Sequence, residues 1–228
     1  MVPFRMVDTA TAHADKQREY EQPLSPAHWR RLCETLGISS ADREYRRVMR
    51  SWRSWGRHYH TLEHLGACLR ELERSRDLAQ QPAEVELALW FHDAVYRTYR
   101  SDNELRSAEW AARFLKQHGA PADAVVRVRD LVMATAHTAA ELEGARALVV
   151  DIDLSILGQP EAVYDEFERN VRREYWWVSR RRFVEGRTRI LRAFAVRPYI
   201  YHWPFFRERY EQRARANLER ALASLSAS

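Results

Sequence analysis

The sequence predicts an all-α protein, and three observations carry that expectation. Apolar residues recur at helical spacing along most of the chain. Seven glycines and eight prolines in 228 residues are too few for the many tight turns of a sandwich or barrel. Pro26, Pro82, Pro121 and Pro160 each stand where a helical pattern begins. With 46% apolar and 30% charged residues, the composition is that of a globular domain. No repeat, low-complexity tract or linker interrupts it. A single helical bundle is therefore expected over residues 1–228, with basic-aromatic helices at 160–226 as a C-terminal extension.

Taken in order, "SPAHWRRLCETLG" has Ser25 as a cap, Pro26 at the first helical position and Gly37 just past the end. "SADREYRRVMRSW" is a second amphipathic stretch, and residues 61–75 are a third. Pro82 opens a fourth helix expected to run through His92 and Asp93. "SDNELRSAEWAARFLKQHG" reads as a capped helix ended by Gly119, and Pro121 starts the helix carrying "RDLVMATAHT". One long polar-aromatic helix is expected from Pro160 to about Arg182, and "FRERYEQRARANLERALASL" closes the chain. One stretch resists. In "ALVVDIDLSIL" (147–157), Val150, Ile152, Leu154 and Ile156 alternate with Asp151, Asp153 and Ser155, which is strand spacing. The stretch is similar to the nucleophile strand of haloacid-dehalogenase-type phosphatases. That fold requires repeated βα units and a downstream lysine, whereas no other strand is visible and no lysine follows Lys116, so the reading is rejected.

Several classes are excluded early. No apolar run approaches the roughly 18 residues of a membrane span, and "MVPFRMVDTATAHADKQREY" lacks the apolar segment of a secretory signal. Two cysteines, Cys33 and Cys68, make no disulfide framework and are expected as buried, reduced thiols, so a cytoplasmic location is expected. Lysine occurs only at Lys16 and Lys116, and arginine supplies the other 35 of 37 cations. A GC-rich coding sequence accounts for that bias without any functional demand.

The histidines carry the chemistry. Three of nine fall in "SWGRHYHTLEH", at His58, His60 and His64, and on a helix His60 and His64 would share a face. The zincin motif H-E-x-x-H fails, because position 61 is Thr61 and the acid is Glu63. Taken singly, these are polar residues at a helix start. His92 and Asp93 sit inside "LWFHDAVY", and a buried, unpaired carboxylate costs several kcal/mol. A cationic partner or a metal ion must compensate. His137 and Asp153 intrude in the same way into two further apolar segments. Imidazoles and carboxylates together are the donors that divalent ions take.

The order His64, His92-Asp93, Asp153 resembles the H…HD…D signature of the HD superfamily of metal-dependent phosphohydrolases. Tyr59-His60 followed by His64, and the "DLS" at 153–155, resemble the corresponding motifs of cyclic-nucleotide phosphodiesterases. Together "HYHTLEH", "FHDAVY", "DNELRSA", "DIDLSILG" and "EGRTRIL" resemble a bacterial family of predicted HD phosphohydrolases, over about residues 25 to 220. The resemblance implies an HD-domain-like bundle with its metal-site elements in 57–153. It implies that His64, His92, Asp93 and Asp153 hold a divalent ion (Mn, Mg, Zn, Fe, Co or Ni). That ion would lower the pKa of a bound water from 15.7 towards roughly 7. His60 would protonate the leaving oxygen. Two-metal members carry extra histidines before the last aspartate, and His137 is the one clear candidate here for a second ion. The expected substrate is a nucleotide or other small phosphate ester. Arg57, Arg97 or Arg187 are candidates to hold its phosphate. Asp102 and Glu104 are candidate bases, with helix capping as the alternative.

Two other readings stand beside this one. Residues 172–215 hold thirteen arginines against four glutamates, interleaved with aromatics such as Trp176, Trp177 and Tyr199, as in single-strand nucleic-acid binders. The plainer alternative is a helix pair with aromatics in the core and arginines in water. Some HD proteins instead hold two irons and oxidise small molecules.

Overall fold

The computed structural model describes residues 22–39, 41–137 and 141–227; the N-terminal segment read above for a leader lies outside them. Every regular element among the described residues is helical, as the periodicity predicts. A 3₁₀ turn at Gln22–Leu24 leads into α1 (Pro26–Thr35), followed by α2 (Asp42–Trp52), α3 (Leu62–Arg74), α4 (Pro82–Phe91), α5 (Asn103–Gln117) and α6 (Ala122–Ala134). Then come α7 (Gly144–Asp153), a 3₁₀ segment (Leu154–Gly158), α8 (Glu161–Glu174) and α9 (Arg180–Ala195). Pro204–Phe206, a π-helical turn at Arg207–Glu211 and Gln212–Ser226 run on without a break and together form α10. No described helix is long and apolar enough to cross a membrane.

The first cap forms as its residues require. The Ser25 hydroxyl accepts the His28 amide at 3.2 Å, and Gly37 takes φ +70°, a conformation glycine adopts without steric cost. At the centre lies α4, buried on all sides from Ala83 to Phe91, with α1, α3, α5, α6 and α7 packed around it. That is why "VELALWF" shows no polar face. Trp29 meets Trp90 edge-on, with ring centroids 5.0 Å apart, and Trp52 donates its indole N–H to the Trp90 carbonyl at 3.0 Å. Cys33 and Cys68 are buried free thiols.

Four sequence expectations are corrected. The 147–157 stretch is helix, not strand: residues 147–152 are all buried, Asp151 included, so its polar alternation does not report alternating exposure. Asp151 is satisfied there by the amides of His202 and Trp203 and by the His202 ring, at 2.7–2.9 Å. The fourth helix stops at Phe91, so His92 and Asp93 form its C-terminal turn. The helix expected from Pro160 to Arg182 is two helices, broken at 175–179. Finally, His60 precedes α3 rather than sharing a helix face with His64. Thr61 is the N-cap, and its hydroxyl accepts the Glu63 amide at 3.3 Å.

Candidate metal centre

Three helix ends converge on one point. His64 lies in the first turn of α3, His92 and Asp93 follow the last turn of α4, and Asp153 ends α7. Each orientation has a local cause. The His92 Nδ1–H donates to the Leu89 carbonyl at 2.7 Å; a carbonyl only accepts, so Nε2 is the nitrogen turned inward. His64 Nδ1 is bonded to the Tyr59 hydroxyl at 2.9 Å, which likewise turns its Nε2 inward.

The two Nε2 atoms face each other at 3.2 Å. Two imidazole lone pairs at that distance repel unless a proton or a metal cation lies between them. Asp153 Oδ1 lies 3.1 Å from His64 Nε2 and 3.6 Å from His92 Nε2, and Asp93 Oδ2 lies 3.3 Å from His92 Nε2. Nitrogen and oxygen ligands about 2.0–2.2 Å from a tetrahedral ion stand roughly 3.4 Å from one another. These four separations, 3.1 to 3.6 Å, therefore fit a shared ion.

The charge balance agrees. Burial opposes charge on His92, but Asp93 and Asp153 outweigh it and raise the imidazole well above its ordinary value. Burial also opposes ionisation of Asp93 and Asp153, yet the surrounding histidines pull both carboxyls below the usual range. His64, dominated by burial, is lowered. The site favours positive charge between two carboxylates, which a proton on His92 or a metal ion supplies.

Cys68, one turn after His64, was not expected here. The donor atoms of His64, Cys68, His92 and Asp153 all lie within 4.8 Å of one another and could hold a metal ion. The Cys68 Sγ, however, is nearly equidistant from the two His64 nitrogens, at 3.8 and 3.7 Å. That places sulfur beside the ring and off both lone-pair axes. Burial also raises its thiol well above the ordinary value. Asp93 lies outside that group of four and reaches it through His92 alone, with Oδ2 3.3 Å from the His92 Nε2.

Glu174 is the residue that sequence reasoning missed. Its Oε1 accepts the backbone amides of His58, Tyr59 and His60 at 2.8, 2.8 and 3.0 Å, so residues 58–60 wrap around a carboxylate as an anion nest. Its Oε2 accepts the His60 Nδ1–H at 2.7 Å and the Tyr96 hydroxyl at 2.8 Å. His60 therefore presents Nε2 to the centre, 3.9 Å from Asp93 Oδ2, with its ring stacked on Tyr96 at 4.1 Å. Burial alone would raise the Glu174 carboxyl, but the bonds from His60 and the amides outweigh it and hold it at about 2. Burial would lower His60, yet Asp93 and Glu174 raise it. A signal for Glu174 does exist: it continues the buried stripe Tyr164, Phe167, Val171 on α8, where an apolar residue belongs.

The remaining candidates divide. His137, at φ +55°, sets Nε2 3.0 Å from Asp153 Oδ2, not the oxygen nearest His64, and its buried Nδ1 has no hydrogen-bond partner among the described residues. Burial raises the Glu104 carboxyl, which also feels the charges of Asp93, His137 and Asp153. Asp102 stands apart, clamped between Arg100 and Arg106 at 2.7 Å each. The Arg57 guanidinium donates to Ser54 Oγ and to the carbonyls of His60, Asp93 and Ala94, so it ties the loop of His60 to the loop of Asp93. Arg187 is committed to Glu168 at 2.6 Å and lies over the Phe167 ring. Arg97 is exposed, its backbone pinned on both sides by Asn103. In the basic C-terminal third, Arg172, Arg207 and Arg215 donate to backbone carbonyls, and Tyr201, Phe206 and Tyr210 are buried.

No family model, curated protein or solved structure matches the chain.

Proposed function

We propose that the chain is a cytoplasmic metal-dependent phosphohydrolase of the HD type, acting on a small phosphate ester, in particular a nucleotide. The observation that carries this reading is the pair of Nε2 atoms of His64 and His92 at 3.2 Å, flanked by Asp93 and Asp153. These four residues hold the divalent ion, and His137, on the second oxygen of Asp153, is the first ligand of a second one. When bound, a divalent ion at this point neutralises phosphoryl charge and acidifies water.

The chain's own groups supply the rest. His60, raised by Asp93 and Glu174 against the effect of burial, directs Nε2 at the centre and donates a proton to the departing oxygen, a step typically worth about 10²–10⁴ in rate. Glu174 fixes the tautomer and the ring plane. Arg97 offers its exposed guanidinium to a non-reacting phosphate oxygen. Asp93 serves twice, facing the ion and lying beside His60.

Elemental analysis of the purified protein, paired with phosphate release from a panel of nucleotides and sugar phosphates, tests the reading. Divalent metal near one equivalent or above, with hydrolysis that His64→Ala removes, is expected. Metal-free protein that stays inactive after loading with each candidate ion would sink it.

A further inference from the structure

Large aromatic side chains are exposed on three loops, and those loops meet at one carboxylate. Trp55 is 87% exposed, Tyr99 69%, Trp176 65% and Trp177 49%. Trp55 belongs to the loop that wraps Glu174 through the amides of His58, Tyr59 and His60. Tyr99 belongs to the loop that reaches Glu174 through the Tyr96 hydroxyl. Trp176 and Trp177 directly follow Glu174 in the chain. The Trp177 indole N–H donates to Thr98 Oγ1 at 2.8 Å, which joins the second loop to the third.

Chain length sets the reach. At no more than about 3.6 Å per residue, Trp176 and Trp55 have Cα atoms within roughly 7 Å of those of Glu174 and Arg57, and Tyr99 lies within roughly 11 Å of Tyr96. Glu174, Arg57 and Tyr96 all touch His60 or its backbone. The three rings thus stand on the three segments that Glu174 ties together beside the His60 side chain. The other large exposed apolar side chains among the described residues are Leu105, Val126, Val163, Ile190, Val196 and one aromatic, Tyr199, all on other segments.

We propose that Trp55, Tyr99 and Trp176 form a rim that stacks on the planar base of a nucleotide whose phosphate lies at the metal centre. The placement of the phosphate rests on the hydrolase reading; the stacking chemistry does not. Aromatic faces bind any base, because every base has a π-face, so the rim selects nucleotides over sugar phosphates without selecting a sequence. Trp177, bonded to Thr98, buttresses it.

The test uses the full chain and four nucleosides without phosphate: adenosine, guanosine, cytidine and uridine. Calorimetric titration of the wild type should give saturable binding of at least one. The Trp176→Ala/Tyr99→Ala double variant, whose folding is checked by circular dichroism, should weaken it at least about fivefold. For an ester that is turned over, KM for the 5′-nucleotide should lie below that for ribose 5-phosphate, and the double variant should close that gap at constant kcat. Failure of all four nucleosides to bind, or equal binding by the variant, overturns the rim. A short single-stranded RNA that binds orders of magnitude more tightly, with a steep salt dependence, overturns it too, because the ligand is then a polymer. Nucleoside binding without hydrolysis of any ester removes the hydrolase reading alone. Hydrolysis of nucleotide and ribose 5-phosphate with equal KM removes the rim alone.

Discussion

Glu174 Oε2 lies 2.7 Å from His60 Nδ1 across 114 residues of sequence, and the same carboxylate accepts three consecutive backbone amides from the segment that carries His60. One buried anion thus shapes a loop and fixes the ring orientation of the histidine it carries.

Glu174→Gln separates those two effects. The amide oxygen can still accept from the backbone, but the amide nitrogen replaces the acceptor of the His60 Nδ1–H, and of the charges that raise His60 only those of Asp93 and Asp153 remain. The alkaline limb of the pH–rate profile should therefore move to lower pH, with metal content unchanged. An unmoved limb would show that His60 is not the acid being titrated.

Stability should follow the same group. Glu174 sits at about 2 in the fold against an ordinary value of 4.5, so it binds its proton more readily unfolded than folded. Its stabilisation is complete above about pH 4.5 and is lost as pH falls towards 2. In thermal melts, the advantage of wild type over Glu174→Gln should shrink steadily across that window. A constant difference would contradict the assignment.

His60→Ala should keep its metal and lose about 10²–10⁴ in turnover, because Nε2 faces the centre without converging on it. His64→Ala should lose the metal. If both variants lose metal equally, the two roles are exchanged.

The two aspartates of α7 should behave oppositely. Asp153→Asn removes a ligand and should abolish metal binding. Asp151→Asn should keep the metal but cost stability, about 1.5–3 kcal/mol, because it weakens the anchor of His202 and Trp203. Metal analysis with denaturant titration of both variants decides the matter.

Gly158→Ala tests the packing of the C-terminal helix. A Cβ there would lie 2.8 Å from the Tyr210 carbonyl oxygen and 2.9 Å from its Cα, and backbone cannot swing aside. A loss of about 1–3 kcal/mol is expected, read as a lowered denaturation midpoint.

The helices, and the polar residues that stand in apolar runs beside the candidate site, were legible because each leaves a local mark. Prolines and Ser25 mark helix starts, while His92, Asp93 and Asp153 interrupt apolar runs where a polar atom needs a partner. What was not legible lacks such a mark or lies far along the chain. The fourth helix ends at Phe91 with no glycine or proline to stop it. The break at 175–179 carries Trp-Trp-Val, which extends an apolar-aromatic pattern rather than ending it. Thr61 as N-cap was readable in principle, and would have placed His60 outside the helix. The role of Glu174 depends on contacts 114 to 116 residues away, beyond any periodicity.

That long span also orders events at the ribosome. His64, His92, Asp93 and Asp153 have all been synthesised when the chain reaches residue 153, whereas Glu174 emerges later and the π-turned helix that backs Gly158 later still. Domains fold as translation proceeds, at about 5–20 residues per second. The segment 58–60 therefore reaches its final shape only once α8 has been made, because the carboxylate that its three amides bond to comes later in the chain.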